Sequence, residues 1–245
     1  MTDITAIVNL HNEGQMARAS LVNLKRAAEF ARQSGLTVEI IAALDRANPE
    51  TVALAEDMSD THLRCVYFDH GDLGRSRNNA VEVAQGQWIA FLDGDDLWSE
   101  NWLTEAHACA SADPRFIVWH PEINLYFGDS SGLHIHADME QTEFEPLALA
   151  LSNIWTALCF TKRDWLLRVP YPMTDLQNRV GFEDWGWNIS IIEHGGLHKV
   201  VKGTGHALRT RWNSLAQQSA TVRARPDISG LLRLARKQKQ ESAKR

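Results

Sequence analysis

Three carboxylates within four residues are the part of this sequence best suited to chemistry. Asp93, Asp95 and Asp96 directly follow an apolar run at residues 88–92, which predicts a short buried strand. In open α/β sheets ligands bind at the carboxyl ends of strands, so these oxygens are expected at such an edge. Carboxylates this close repel one another unless a cation neutralises them, and Mg²⁺ or Mn²⁺ held together with substrate phosphates is the usual cation. An ordinary acidic turn after a strand is the alternative.

The segments that must position these carboxylates alternate between strand and helix patterns in the first half of the chain. Apolar runs predict strands over residues 5–10, 37–44, 63–68 and 88–92. Apolar spacing and capping residues predict helices over residues 15–33, 49–57 and 73–85. This alternation predicts right-handed βαβ units, and therefore an α/β fold with a mostly parallel sheet.

The second half of the chain has a less regular pattern. Helices are predicted over residues 98–110 and 184–194, and a capping box formed by Thr161 and Asp164 predicts a further helix start. Short strands are predicted over residues 116–119, 123–127, 133–137 and 199–201.

Four motifs occur together in the order and approximate spacing of a known family. They are the opening strand followed by Asn12-Glu13, the helix with Arg77-Asn78-Asn79, the strand end at residues 91–96, and the later pair Glu183-Asp184. In these motifs the chain resembles the family 2 glycosyltransferases over roughly residues 4–215. The resemblance implies a GT-A fold, a Rossmann-like single domain whose mostly parallel central sheet is flanked by helices. The domain would span residues 1–220, with a nucleotide half over about 1–98 and an acceptor half over about 99–220.

The resemblance also implies a nucleotide-diphosphate sugar donor, most often a UDP-sugar, and a Mn²⁺ or Mg²⁺ cofactor. Asp95 matches the main metal ligand of the family, and Asp93 would lie nearer to the ribose and a metal-bound water. His206 matches a late histidine that some members use as a further metal ligand, although a plain loop histidine is the alternative. Asp45, after the second predicted strand, would accept a hydrogen bond from the nucleobase. The base would be framed by Leu10, His11, Asn12 and Glu13.

Three further residues receive roles in the same way. Arg77 is expected near the nucleotide or its phosphates, because planar guanidinium donors bind phosphate bidentately; an exposed helix face is the alternative. An inverting enzyme needs a carboxylate to take the proton of the acceptor hydroxyl, and we assign this general base to Asp184. Glu183 would contact the acceptor or orient the loop. Both carboxylates also suit the first turn of a helix.

Taken together, the sequence predicts an inverting, metal-dependent glycosyltransferase acting on a hydroxyl of a glycan or a lipid-linked saccharide. A sugar-1-phosphate nucleotidyltransferase is one alternative, but it requires a glycine-rich loop with Arg and Lys near the N-terminus, which residues 11–14 do not provide. A non-catalytic nucleotide-sugar-binding domain is the second alternative.

Composition and charge narrow the class of protein. The 245 residues carry a net charge of −6 and 44% hydrophobic residues, which predicts one globular core and argues against nucleic acid as a partner. Three widely spaced cysteines predict free thiols in a reducing compartment. No apolar run predicts a leader peptide or a membrane span. The expected location is therefore the cytoplasm.

The last 25 residues differ in charge from the rest of the chain. Residues 221–245 hold eight Lys and Arg side chains against two acidic ones, beside apolar residues at helical spacing. A basic amphipathic helix can rest on an anionic membrane surface, which predicts a peripheral contact with the inner face of the membrane. A solvated linker is the alternative.

Overall fold

The computed structural model describes residues 2–141 and 144–242. Within these residues the strands are β1 (Ile4–Leu10), β2 (Val38–Asp45), β3 (Leu63–Phe68), β4 (Trp88–Asp93), β5 (Leu97–Trp98), β6 (Ile117–Gly128), β7 (Gly132–Ile135), β8 (Phe160–Lys162) and β9 (Leu197–Thr210). The helices are α1 (Ala17–Gln33), α2 (Pro49–Asp57), α3 (Leu73–Val83), α4 (Trp102–Ala112), α5 (Arg163–Arg168), α6 (Glu183–Glu193), α7 (Leu215–Thr221) and α8 (Ser229–Ser242), with short 3-10 helices at Gly14–Met16 and Pro146–Ala150.

One sheet contains all the strands of the described residues, in the order β3-β2-β1-β4-β8-β6-β9-β5, with β7 paired to β6 at its side. The first four strands are parallel, as the alternating pattern predicted. Their carboxyl ends lie level, because Asn9 on β1 pairs with Asp93 on β4 and Leu10 pairs with Leu44 on β2. The strand ends of the first half therefore meet at one edge.

The core lies on both faces of this sheet. Side chains of a strand point alternately to opposite faces, and on β1 this sends Val8 to the layer covered by α1 and Ile7 to the opposite layer. The first layer also contains Trp102 of α4, and the second contains Trp187 of α6. Both faces are thus apolar, which explains why β1 reads as an unbroken hydrophobic run.

Two strands of the second half are much longer than predicted. The segments predicted as two strands form the single strand β6, and its register with β9 shifts between Pro121 and Ile123. A proline cannot donate a ladder hydrogen bond and is tolerated at such an irregularity. β9 continues through Gly203 and Gly205, whose turn-like composition predicted an early end. β6 and β9 pair in parallel and carry the sheet into the second half of the chain.

The chain beyond residue 220 packs against the domain. Ala224 is fully buried, and the backbone N–H of Arg225 donates to the carbonyl of Arg179. Leu231 of α8 is 2% exposed against α6, whereas Leu232 is 55% exposed. The residues after 220 therefore pack against the domain through Ala224 and Leu231, and the boundary predicted at residue 220 stays a prediction.

The predicted membrane contact of this tail stays a prediction: Leu231 packs inward, whereas Ile228 and Leu232 are exposed. None of the described helices has an apolar stretch long enough to cross a membrane. The predicted capping box is also wrong: the Thr161 hydroxyl donates to the carbonyl of Ile117, and α5 begins at Arg163 without a side-chain cap.

Candidate active site

A cleft of about 1030 Å³ lies at the carboxyl edge of β1, β2 and β4. The first turn of α6 and the end of β9 form its other walls, together with the segment that leads into α7. Predicted site residues that line it are Leu10, His11, Asn12, Glu13, Asp45, Arg77, Asp93, Asp95, Glu183 and Asp184. The fold thus brings together every predicted site residue except His206.

The turn after β4 crowds three carboxylates, as the sequence predicted. Gly94 lets this turn pass close to β1, since a Cβ there would lie 2.9 Å from the carbonyl oxygen of Asn9. Burial raises the pKa of Asp95 to about 6, Arg211 lowers it, and the charges of Asp93 and Glu13 raise it further. Burial and the neighbouring Asp93 raise the pKa of Asp96 as well. The turn has a surplus of buried negative charge, which favours a cation.

Two residues at the end of β9 contact this turn. The backbone N–H of Arg209 donates to Asp96 Oδ1 at 2.6 Å, which ties the turn to the sheet of the second half. Arg211 Nε lies 2.8 Å from Asp95 Oδ2 as an ion pair, but without hydrogen-bond geometry. Arg211 therefore interacts only electrostatically with Asp95, the carboxylate predicted to bind the metal.

Arg77 has a different environment from the one predicted. Its guanidinium donates to Asp93 Oδ1 at 3.0 Å and to Glu183 Oε1 at 2.8 Å, and it lies over the ring of Tyr171. Only 1% of the residue is exposed. Two carboxylates engage its donors, yet Arg77 lines the cleft, so its place near the nucleotide stays a prediction. The alternative of an exposed helix face is wrong. Arg77 instead joins the strand end of β4 to the start of α6.

Asp45 likewise forms hydrogen bonds within the protein. Its carboxylate accepts the backbone N–H groups of His70 and Gly71 on Oδ1, at 2.7 and 3.1 Å, and of Asp72 on Oδ2 at 3.1 Å. These bonds fix the loop between β3 and α3, where Asp72 caps the helix by accepting from Arg75 N. Asp45 lines the cleft, so a contact with a nucleobase stays a prediction, with this loop-fixing role added to it.

The segment after β1 forms the rim of the cleft. Leu10 is buried, whereas His11 and Asn12 are exposed. The Nδ1 of His11 lies 2.7 Å from the carbonyl oxygen of Asp45, and its backbone N–H donates to Glu13 Oε2. The ring of His11 is thus held at the rim beside Asp45, in a position to frame a bound base.

The predicted Glu-Asp pair begins α6. Phe182, the residue before it, has a left-handed backbone with φ of 58°, which is uncommon for a bulky side chain. This turn directs Glu183 into the buried pair with Arg77 and brings Asp184 to the cleft. Burial first, and the charge of Glu183 second, raise the pKa of Asp184 to about 7. An aspartate with such a pKa can exchange a proton near neutral pH.

His206 is not brought to the carboxylates. It lies on the same face of β9 as Leu208 and Thr210, which line the cleft, but Trp98 and Trp102 cover it. Its ring is buried, and neither ring nitrogen has a hydrogen-bond partner. Because His206 does not line the cleft, its metal contact gains no support from this arrangement and stays a prediction.

Sequence reasoning did not single out several residues that the fold places at or beside the cleft. Trp212 is 80% exposed beside the cleft and donates its backbone N–H to Asp129. Asn153 donates to Asp184 Oδ2 at 2.9 Å from an irregular loop. No periodic or spacing signal marks either residue, because both lie in segments without regular structure in the sequence pattern.

Comparison with known proteins identifies the class to which this fold and site belong. A family model described as glycosyl transferase family 2 matches residues 5–170, which is more than half of the chain. The chain therefore belongs to glycosyl transferase family 2, as the four motifs predicted.

Named relatives share part of this chain. The succinoglycan biosynthesis protein ExoO of Rhizobium meliloti (strain 1021) is 33% identical over 96 residues, which is 38% of this chain and 26% of that protein. The putative glycosyltransferase EpsH of Bacillus subtilis (strain 168) is 22% identical over 141 residues, or 57% of this chain and 38% of that protein. The chain thus spans well under half the length of these curated relatives.

Solved structures confirm the GT-A fold. S. aureus TarS in complex with UDP-GlcNAc superposes with a TM-score of 0.66 at 16% identity, covering 87% of this chain and 60% of that chain. The mannosyltransferase PcManGT from Pyrobaculum calidifontis, in complex with GDP-Man and Mn²⁺, gives a TM-score of 0.62 at 17% identity, covering 86% of this chain and 58% of that chain.

Proposed function

We propose that this chain is an inverting glycosyltransferase that moves a sugar from a nucleotide diphosphate to an acceptor hydroxyl. The proposal rests on one observation: two carboxylates in different structural settings line the same cleft. Asp95 lies in the turn after a parallel strand, where a nucleotide is expected. Asp184 lies in the first turn of a helix on the opposite wall, with its pKa raised to about 7.

The donor in this proposal is a nucleotide-diphosphate sugar, with a UDP-sugar as the first candidate. Two structural neighbours were solved with UDP-GlcNAc and with GDP-Man, which supports this donor class. The volume of about 1030 Å³ exceeds that of usual small-ligand pockets and suits a two-part ligand. The acceptor is a glycan or lipid-linked saccharide, in line with the name of a relative from Escherichia coli, UDP-Glc:alpha-D-GlcNAc-diphosphoundecaprenol beta-1,3-glucosyltransferase WfaP.

A divalent cation fits the residues at the turn after β4. Asp95 is buried among like charges, so a cation beside it would relieve repulsion that Arg211 only partly offsets. Among the described residues, no group of three or more His, Cys, Asp and Glu side chains is arranged to hold an ion. We therefore assign one protein ligand, Asp95, with the remaining ligands supplied by donor phosphates and water, as is usual for Mg²⁺. Bound there, the cation would stabilise the charge of the leaving diphosphate.

The transfer follows from the positions of these groups. The acceptor hydroxyl gives its proton to Asp184 while its oxygen forms a bond to the anomeric carbon of the sugar. The bond from that carbon to the diphosphate oxygen breaks, and its electron pair leaves with the nucleotide diphosphate. Attack from the face opposite the leaving group inverts the anomeric centre. Asp184 must be ionised at the start, which favours the reaction above its raised pKa.

Titration calorimetry and product analysis test this proposal. The protein is titrated with UDP-glucose, UDP-GlcNAc and GDP-mannose, each with Mn²⁺ and with EDTA. We expect one donor to bind in a saturable manner, and we expect Asp95→Ala to bind it with lower affinity. With the binding donor, mass spectrometry of a saccharide acceptor panel should show a product one sugar heavier. Absence of binding by every donor, with the protein folded, would contradict the proposed function.

A further inference from the structure

The side chain of Asn153 occupies a defined place between the proposed base and the core. Asn153 lies in the loop between the 3-10 helix Pro146–Ala150 and β8, and its Nδ2 donates to Asp184 Oδ2 at 2.9 Å. Its Oδ1 accepts from Asn188 Nδ2 at 3.1 Å. An amide has one donor end and one acceptor end. The contact with Asn188 therefore settles which end of Asn153 faces the carboxylate.

Asn188 is itself fixed in orientation. It lies one helical turn after Asp184 on α6, is fully buried, and also donates its Nδ2 to the carbonyl oxygen of Trp155 at 3.0 Å. Turning its amide over would place its oxygen against two acceptors, Trp155 O and Asn153 Oδ1. Both contacts therefore show that the Nδ2 atom of Asn188, and not its Oδ1, faces Trp155 and Asn153.

A buried histidine pair continues this network away from the cleft. His198 Nε2 lies 3.3 Å from the carbonyl oxygen of Asn188, and a carbonyl only accepts, so Nε2 carries the proton. His198 Nδ1 must then accept from His120 Nε2, 2.8 Å away. Burial lowers the pKa of both rings, and Trp155 stacks on His198 at 4.0 Å. This neutral, packed pair forms a rigid floor beneath Asn188.

We propose that Asn153 is a positioning residue for Asp184, holding its carboxylate in one orientation and stabilising its ionised form. The proposal rests on the function proposed above, in which Asp184 takes the acceptor proton. A carboxylate offers about four lone-pair sites, so the bond from Asn153 leaves acceptor capacity for the incoming hydroxyl.

The charges around Asp184 explain why such a donor matters. Glu183 on α6 and Asp93 on β4 oppose its ionisation, and Arg77 on α3 favours it. The phenols Tyr126 on β6 and Tyr171 before α6 are also near enough to interact with it. A hydrogen bond to the ionised form lowers the pKa of a carboxyl group. Asn153 thus acts against burial and Glu183, which both raise that pKa.

The test measures the pKa of Asp184 directly, without a donor or an acceptor. The protein is labelled with [¹³Cγ]aspartate, and the Asp184 resonance is assigned as the one missing from Asp184→Asn. We expect Asn153→Ala to raise this pKa by about one unit, because an ionised partner loses its donor. Asn153→Asp, of nearly the same shape, should raise it further through like-charge repulsion. Asn101→Ala is the control and should leave this pKa unchanged, because Asn101 does not line the cleft and its side chain donates to the carbonyl oxygen of Gly203.

Enzymatic pH profiles complete the test. With the donor found above, the acid limb of kcat should move upward in Asn153→Ala and again in Asn153→Asp, by the same shifts as the carbon resonance. An unmoved resonance in both folded variants would overturn the positioning role; Asn153→Ser, in a loop that is partly exposed, serves if either fails to fold. If instead Asp184→Asn keeps full activity, the proposed function fails, whereas the resonance shifts still report whether Asn153 contacts this carboxylate.

Discussion

The two walls of the cleft hold their carboxylates in different ways. On the strand-end wall, backbone N–H groups hold two of the carboxylates: three donate to Asp45 and one donates to Asp96. The other two, Asp93 and Asp95, pair with the side chains of arginines. On the helix wall, side chains predominate, since Asn153 donates to Asp184 and Arg77 donates to Glu183, beside a backbone contact of Asp184 with Trp185. Backbone donors survive substitution of the residues that carry them, whereas side-chain donors do not.

This difference separates what is fixed by the fold from what can be adjusted. The strand-end wall presents a set of oxygens that follows from the parallel sheet alone. On the helix wall, the pKa of Asp184 is raised by burial and by Glu183 and lowered by Arg77, and we propose that Asn153 lowers it as well. The comparison predicts that single substitutions on the helix wall change chemistry, and that those on the strand-end wall change binding.

Removing the proposed base, Asp184, is the most direct test of whether the helix wall governs chemistry and the strand-end wall governs binding. Asp184→Asn keeps the shape but cannot take a proton, and general-base catalysis contributes roughly 10²–10⁴-fold. We expect kcat to fall by at least about a hundredfold, with donor affinity by calorimetry nearly unchanged. Asp164→Asn is the matched control, because Asp164 also lies in the first turn of a helix but is exposed. A similar loss of kcat in both variants would show that removing a charge from the first turn of a helix, and not removing the base, lowers the rate.

The bridge between the two walls should show the largest effect on stability. Arg77→Ala leaves Asp93 and Glu183 without their partner, and breaking a buried ion pair costs about 3–5 kcal/mol. Urea unfolding should show this loss, together with weaker donor binding. Arg75→Ala, on the same helix but exposed, should change the free energy of unfolding by no more than about 0.5 kcal/mol. Equal stability of the two variants would mean that the walls are not coupled through Arg77.

The C-terminal helix tests whether the helix wall is supported from behind. Leu231→Ala removes a side chain buried against α6, which costs about 2–5 kcal/mol in comparable cores. Leu232→Ala changes the exposed neighbour and should cost less than about 0.5 kcal/mol. Thermal unfolding measures the difference in stability between these two variants. If Leu232→Ala is the more harmful and also reduces binding to anionic vesicles, the helix belongs on a membrane and not on the domain.

The raised pKa of Asp184 predicts the smallest effect, on pH dependence. Because the base must be ionised, kcat should rise with pH through about 7. The same shift makes the folded protein hold this proton more tightly than the unfolded chain, so stability is lost as pH rises from about 4 toward 7. Asp184→Asn removes that loss. Its stability relative to the natural protein, by urea unfolding, should be at least about 1 kcal/mol more favourable at pH 8 than at pH 5; an equal difference at both would contradict the shift.

The sequence was sufficient for the first half of the fold because its signals are local. The apolar runs and capping residues predicted β1 to β4 and their helices within a few residues, and parallel pairing then placed Asp45 and Asp93 at one edge. In the second half, β6 passes through Pro121 and β9 passes through Gly203. Both residues indicate strand ends locally, and only the pairing of the two long strands overrides that signal.

The site residues were predicted better than their partners. Asp184 and Arg77 were both named, yet the partner of Arg77 lies 106 positions away in Glu183, a separation over which spacing says nothing. His206 shows the converse: its position along β9 suited a cleft residue, but Trp102 from another helix covers it, and its metal contact stays a prediction. Contacts that arise when distant segments meet are the part that residue patterns do not contain.

The Arg77 bridge has a consequence for building hybrids from related enzymes. Joining the first half of one relative to the second half of another, near residue 98, would separate Arg77 from the Glu183 with which it co-exists here. Such a chimaera would carry either a buried guanidinium left with Asp93 as its remaining acidic partner or an unpaired buried carboxylate, unless the parent of each half supplies the matching charge. Exchange of sugar specificity by swapping halves therefore depends on one inherited pair of residues as much as on the surfaces that touch the substrates.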